Sequence, residues 1–187
     1  MKRFVIFSFP NILTYLRLAA LPLLAAVFWL PTEQTVADWA ATVVFLSAAL
    51  TDFLDGHLAR KINQESKLGA FLDPVADKML IIVALLLLID AGRAPVLASM
   101  LIIGREVFVS ALREWAALAG KSAAVRVSAA GKWKTATQMT AVALLFFGGN
   151  LGGMATVTVG EWVLWVAAVL SLWSLAVYCY NFGRAAE

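Results

Sequence analysis

Four aspartates stand between positions 52 and 77 of a 187-residue chain that is otherwise 62% hydrophobic. Asp52 and Asp55 are three residues apart, Asp73 and Asp77 four, so on helices each pair shares one face. At about 100° per residue, Asp52, Asp55, Gly56 and Ala59 fall within an arc of roughly 100°, two carboxylates beside two positions with almost no side chain. Two such helices facing each other would bring four carboxylates to one point. Carboxylate oxygens are hard ligands suited to Mg²⁺ or Mn²⁺. Four of them can hold two divalent ions roughly 3.5 to 4 Å apart, an arrangement that clamps a phosphoryl group during displacement. Within a membrane each Asp costs roughly 2.5 to 3.5 kcal/mol on insertion scales, so the cluster calls for a compensating cation or a polar cavity. Gly56 costs about 1 kcal/mol against Ala in a helix, which close approach of a ligand or backbone would offset. Arg60 adds a planar fork suited to phosphate. A polar helix pair buried for packing, or a proton relay, is the alternative reading.

The stretch resembles the signature of the CDP-alcohol phosphatidyltransferase family, D-x2-D-G-x2-A-R-x8-G-x3-D-x3-D. All eight fixed positions match, as Asp52, Asp55, Gly56, Ala59, Arg60, Gly69, Asp73 and Asp77. A lone DxxD would be weak; eight matches at the right spacing are strong.

The elements that must position these residues follow from hydropathy. Six apolar stretches, near 11–30, 38–59, 72–91, 95–118, 133–150 and 161–182, approach the roughly 20 residues needed to cross a bilayer. The expected fold is an all-α integral membrane bundle of six transmembrane helices forming a single domain over 1–187, with 1–10 as an interfacial segment. Lys2 and Arg3 could mimic the start of a signal peptide, but no clear cleavage site follows, which favours an uncleaved first helix. The lone Cys179 excludes an intramolecular disulfide.

The net charge of +3 is small, but its distribution fixes an orientation. Lys2 and Arg3 precede the first helix; Arg60, Lys61 and Lys67 lie between the second and third; Lys121, Arg126 and Lys132 lie between the fourth and fifth. The alternate connections hold Glu33 and Asp38, then Asp90 and Arg93. The excess of basic residues predicts cytoplasmic termini and an active site facing the cytoplasm. Trp29, Trp39 and Trp162 near the outer ends fit an aromatic belt.

Other polar residues interrupt the apolar helices. Asn11, Thr14 and Arg17 form a stripe at three-residue spacing, either an end cap with a snorkelling arginine or the border of a site. Arg105 and Arg113, eight apart and about 80° around the helix, can face one cavity. Glu106 and Glu114 could instead neutralise them. Lys132 and Lys134 point nearly opposite ways, and one is expected to serve the site. His57 occupies a variable position of the signature and has no assigned role. Helix six offers nothing specific.

The resemblance implies a reaction joining sn-glycerol 3-phosphate to the phosphatidyl group of CDP-diacylglycerol, with release of CMP. It implies metal ligation of Mg²⁺ or Mn²⁺, expected as two ions, by Asp52, Asp55, Asp73 and Asp77. Asp77 is also the implied general base, which requires that its second carboxylate oxygen accept the proton. Gly56, Ala59, Arg60 and Gly69 would line the CDP pocket, bordered by Asn11 and Thr14. Arg105, Arg113 and Lys132, with Arg17 and Lys134, would bind the acceptor's phosphate. The family further implies a homodimer among membrane lipids in the cell membrane; no nucleic-acid partner is expected. Serine, an inositol phosphate or phosphatidylglycerol are alternative acceptors within the family, though a dianionic acceptor fits the arginines better than zwitterionic serine. A cation transporter is the reading outside enzymes; it would need a polar path to both sides, and none shows at the outer ends.

Overall fold

The computed structural model describes residues 9–29, 33–62, 67–118, 129–151 and 153–186, with side chains described at 14–29, 33–51, 72, 74–118, 133–150, 153–180 and 182–183. Among them are six α-helices: α1 (Phe9–Trp29), α2 (Gln34–Ile62), α3 (Lys67–Asp90), α4 (Val96–Leu118), α5 (Ala129–Phe147) and α6 (Thr156–Ala186). The fold is all-α, and each helix falls on one of the six apolar stretches. α2 and α6 run past the apolar windows at both ends, because backbone hydrogen bonding continues into polar turns that hydropathy ignores. The interfacial segment expected at 1–10 lies, up to residue 8, outside the described residues. A short antiparallel hairpin, β1 (Asn150–Leu151) with β2 (Met154–Ala155), precedes α6. Gly153 adopts φ +86° there, a left-handed conformation that favours glycine.

The helices group into two compact units, Met1–Leu88 with Phe146–Gly149, and Ile89–Leu145 with Asn150–Glu187. In the first, α1 packs on α2, and the brief connection between them makes the pair antiparallel. Phe146 meets Phe28 edge-on at 5.5 Å and lies 5.8 Å from Phe45. Leu24, Phe45, Leu80 and Leu85 are fully or almost fully buried.

In the second unit α4 packs on α6. The pairs Arg105–Ser174, Arg113–Tyr178 and Trp115–Phe182 advance together along both helices, so α4 and α6 run parallel. Val109, Ala116 and Tyr178 form their core, with Leu175 and Phe182 against it. Gly160 lets α6 approach α5. A Cβ at that position would stand 2.8 Å from Leu145 Cγ and 3.3 Å from the Ala141 carbonyl oxygen. Gly160→Ala should therefore destabilise the protein by about 1 to 3 kcal/mol despite the better helix propensity of alanine. Thermal melting in detergent checks this; a raised melting temperature would mean that the contact yields freely.

Candidate active site

The first unit carries the signature. Asp52, Asp55, Gly56, Ala59 and Arg60 lie in the last three turns of α2, and Gly69, Asp73 and Asp77 in the first three of α3. The helical backbone gives the i, i+3 and i, i+4 spacings their expected facing. Pro74, inside α3, cannot donate the backbone hydrogen bond that residue 70 would accept, leaving a carbonyl to be satisfied otherwise beside Asp73. The side chains of Asn11, Asp52, Asp55, Gly56, Ala59, Arg60, Gly69, Asp73 and Lys132 are outside the described residues.

Asp77 is described, and α1 reaches it. The Nη1 of Arg17 donates to Asp77 Oδ1 at 2.5 Å; the arginine side chain is 1% exposed and the aspartate 41%. A guanidinium sunk in an apolar unit needs an anion nearby, and Asp77 supplies one. Arg17 is thus held inward rather than snorkelling. Thr14, one turn earlier, is buried too. Arg17 also lines a 290 Å³ cavity with Ser47 and Thr51 of α2, so the stripe on α1 borders open space one residue short of Asp52.

The second unit holds the other charged cluster. Arg105 on α4 is 7% exposed and Lys134 on α5 is 3% exposed. Both reach Glu106: Arg105 Nη1 lies 3.4 Å from its Oε1, and Lys134 Nζ donates to the same oxygen. Arg105 Nη2 also donates to Ser174 Oγ at 2.8 Å, and its Nε is buried with no partner among the described residues. Two buried cations therefore share one carboxylate. Two turns on, Arg113 Nη2 donates to the Tyr178 hydroxyl at 2.5 Å, and its guanidinium carbon lies 5.3 Å from the centre of that ring. Arg113 thus takes a neutral partner, although Glu114 follows it in sequence. Lys134 thus joins the arginine of α4, while the side chain of Lys132 lies outside the described residues.

Sequence reasoning missed Ser174 and Tyr178 and dismissed their helix. Ser171, Ser174 and Tyr178 are buried and recur at i, i+3 and i+7, a polar stripe on an otherwise apolar helix. That spacing was the available signal, masked by the surrounding leucines, valines and tryptophans.

Helical placement of the signature, with Asp77 on Arg17, can be set beside known proteins. The sequence pattern of CDP-alcohol phosphatidyltransferase matches residues 7–173. The chain belongs to that family. Among CDP-alcohol phosphatidyltransferase relatives, CDP-diacylglycerol–glycerol-3-phosphate 3-phosphatidyltransferase 1, chloroplastic/mitochondrial, of Arabidopsis thaliana is 46% identical over 187 residues, covering 92% of this chain and 62% of that protein. The CDP-diacylglycerol–glycerol-3-phosphate 3-phosphatidyltransferase of Escherichia coli K12 is 42% identical over 178 residues, with 92% and 93% covered. The like-named Shigella flexneri serotype 5b protein is 43% identical over 174 residues, with the same shares covered. The chain thus spans under two thirds of the plant protein but nearly all of the bacterial ones.

Proposed function

We propose that this protein transfers the phosphatidyl group of CDP-diacylglycerol to sn-glycerol 3-phosphate, giving phosphatidylglycerophosphate and CMP. The acceptor hydroxyl oxygen forms a bond to the phosphorus that carries diacylglycerol, the bond from that phosphorus to the CMP oxygen breaks, and the hydroxyl proton leaves to a base. The observation that carries the choice of acceptor is the pairing of two buried cations, Arg105 and Lys134, with one carboxylate, Glu106. Uncompensated positive charge in an apolar interior favours a ligand with a phosphate dianion over zwitterionic serine. The names of the relatives agree with this choice.

The residues divide the work. Asp77 is the general base, and Arg17 orients its carboxylate through one oxygen. Arg105, Arg113 and Lys134, with Lys132, bind the acceptor's phosphate; Arg17 is a further candidate for that role. Gly56, Ala59, Arg60 and Gly69 line the CDP pocket, with Asn11 and Thr14 at its border. The donor set suits a hard divalent ion: all four aspartates offer carboxylate oxygens, and Asp77, paired with Arg17 through Oδ1, is 41% exposed. Asp52, Asp55, Asp73 and Asp77 would hold Mg²⁺ or Mn²⁺, expected as two ions, which would neutralise the pyrophosphate and ease departure of CMP. CMP release measured with each acceptor in turn tests the assignment. Release with glycerol 3-phosphate alone supports it; release with serine instead, or cation flux without CMP, overturns it.

We further place the protein in the cell membrane as a multi-pass bundle of six spans. At 1.5 Å per residue even α5, with 19 residues, is about 28 Å long, close to the hydrocarbon thickness. Among the described residues Thr156–Tyr180 is the stretch both long and apolar enough to cross by itself. α4 falls short by composition because it carries Arg105, Glu106, Arg113 and Glu114. The distribution of polarity supports a lipid surround: Leu23, Val43, Met100, Phe108 and Trp173 are more than half exposed, while Arg17, Arg105, Lys134 and Gln138 are buried. Both termini and the active site face the cytoplasm. With Cys179 replaced, a cysteine at Met154 should react with an impermeant thiol reagent outside intact cells, and one at Ser66 should not; labelling at Ser66 would reverse the topology. The family resemblance makes the working unit a homodimer, to be checked by its mass in detergent.

A further inference from the structure

We propose that α6 sets the acceptor-phosphate site through two hydroxyls: Ser174 positions Arg105 and Tyr178 positions Arg113. The inference rests on the reading of these arginines as the acceptor's phosphate contacts, and it gives α6 a share in specificity that its sequence did not suggest.

A phosphate-binding arginine works best when it is held in place before the ligand arrives. Its side chain has four rotatable bonds, and a bidentate contact requires the guanidinium plane to be set before the ligand arrives. A carboxylate partner would do this at the expense of the positive charge the ligand is to meet. A hydroxyl does it without adding a negative charge. Arg113 has such a partner in the Tyr178 hydroxyl at 2.5 Å. The ring of Tyr178 is 4% exposed and packed in the core with Val109 and Ala116, so the hydroxyl is anchored at a fixed place. Arg105 lies 3.4 Å from the Glu106 carboxylate, which it shares with Lys134, and its closer contact is the 1% exposed Ser174, to whose hydroxyl the other Nη donates at 2.8 Å. The Nε of Arg105 stays buried without a partner among the described residues. It is an unused donor of the kind an incoming phosphate oxygen would satisfy. Parallel packing of α4 and α6 lets two hydroxyls on successive turns of α6 serve two arginines on one helix.

The hydroxyls act through the arginines and touch no reacting atom, so they are positioning residues. Losing one hydrogen bond that only positions an arginine should weaken acceptor binding by about three- to tenfold. Tyr178→Phe and Ser174→Ala are therefore expected to raise the KM for glycerol 3-phosphate by about that factor, with the KM for CDP-diacylglycerol and the melting temperature little changed. Ser174→Thr, which keeps the hydroxyl, should restore the wild-type value. Arg113→Lys, measured beside them, separates two kinds of failure. If it raises the glycerol 3-phosphate KM while Tyr178→Phe and Ser174→Ala leave it unchanged, the acceptor site stands and positioning by α6 is overturned. If no variant moves that KM, the acceptor reading itself falls. Equal rises in both KM values with a lowered melting temperature, or failure of both hydroxyl variants to fold, assigns the hydroxyls to packing and likewise overturns the proposal.

Discussion

Asp77→Asn should lower kcat by about 10²- to 10⁴-fold, the range a positioned general base contributes. The substitution keeps the shape of the side chain and removes both its basicity and its charge. It also leaves the Arg17 guanidinium, 1% exposed, facing a neutral amide in place of the carboxylate. Some loss of stability should accompany the loss of rate, moderated because Asp77 is 41% exposed and solvent reaches the pair. The decisive comparison is kcat against the melting temperature in one preparation. A folded variant that still binds Mg²⁺ but has lost turnover supports the base, whereas near-normal turnover would remove Asp77 from the chemistry. Asp73→Asn should abolish turnover as well if that carboxylate ligates a metal; retention of metal-dependent rates would exclude it.

Glu106→Gln should be the most damaging conservative change in the second unit. Glu106 is the carboxylate that Arg105 and Lys134 share, at 7% and 3% side-chain exposure. An amide can still accept a hydrogen bond but cannot offset two positive charges away from water. Breaking a buried pair by neutralising one member costs about 3 kcal/mol or more, which is a large part of a domain's stability. Melting temperature and yield in detergent should both fall. Glycerol 3-phosphate or inorganic phosphate should restore part of the loss, because an anion that binds the folded state stabilises it by mass action. An unshifted melting temperature would show that the two cations do not depend on Glu106.

The sequence made some of this architecture plain and hid the rest for physical reasons. Six apolar stretches became six helices, since length and hydropathy are properties of local sequence. The signature aspartates landed on helices at the anticipated spacing for the same reason. What stayed hidden were partnerships across long separations. Nothing near Arg17 indicates that it reaches Asp77, sixty positions on. Nothing in the sequence around Lys134 indicates that it is buried against Glu106, twenty-eight positions earlier. Glu114 stood ready to neutralise Arg113, yet Tyr178 of α6 took that place. Serine and tyrosine are common enough in apolar helices that their spacing gains meaning only once α4 lies alongside.

The reaction itself is open to a direct assay. Purified protein is mixed with CDP-diacylglycerol and sn-glycerol 3-phosphate, with and without Mg²⁺ or Mn²⁺, and the lipid product is identified by mass. A lipid with the mass of phosphatidylglycerophosphate should accumulate in step with CMP, only when the divalent ion is present. CMP release without that lipid, or a product carrying serine, inositol phosphate or phosphatidylglycerol from a mixed panel, would contradict the function proposed for this chain.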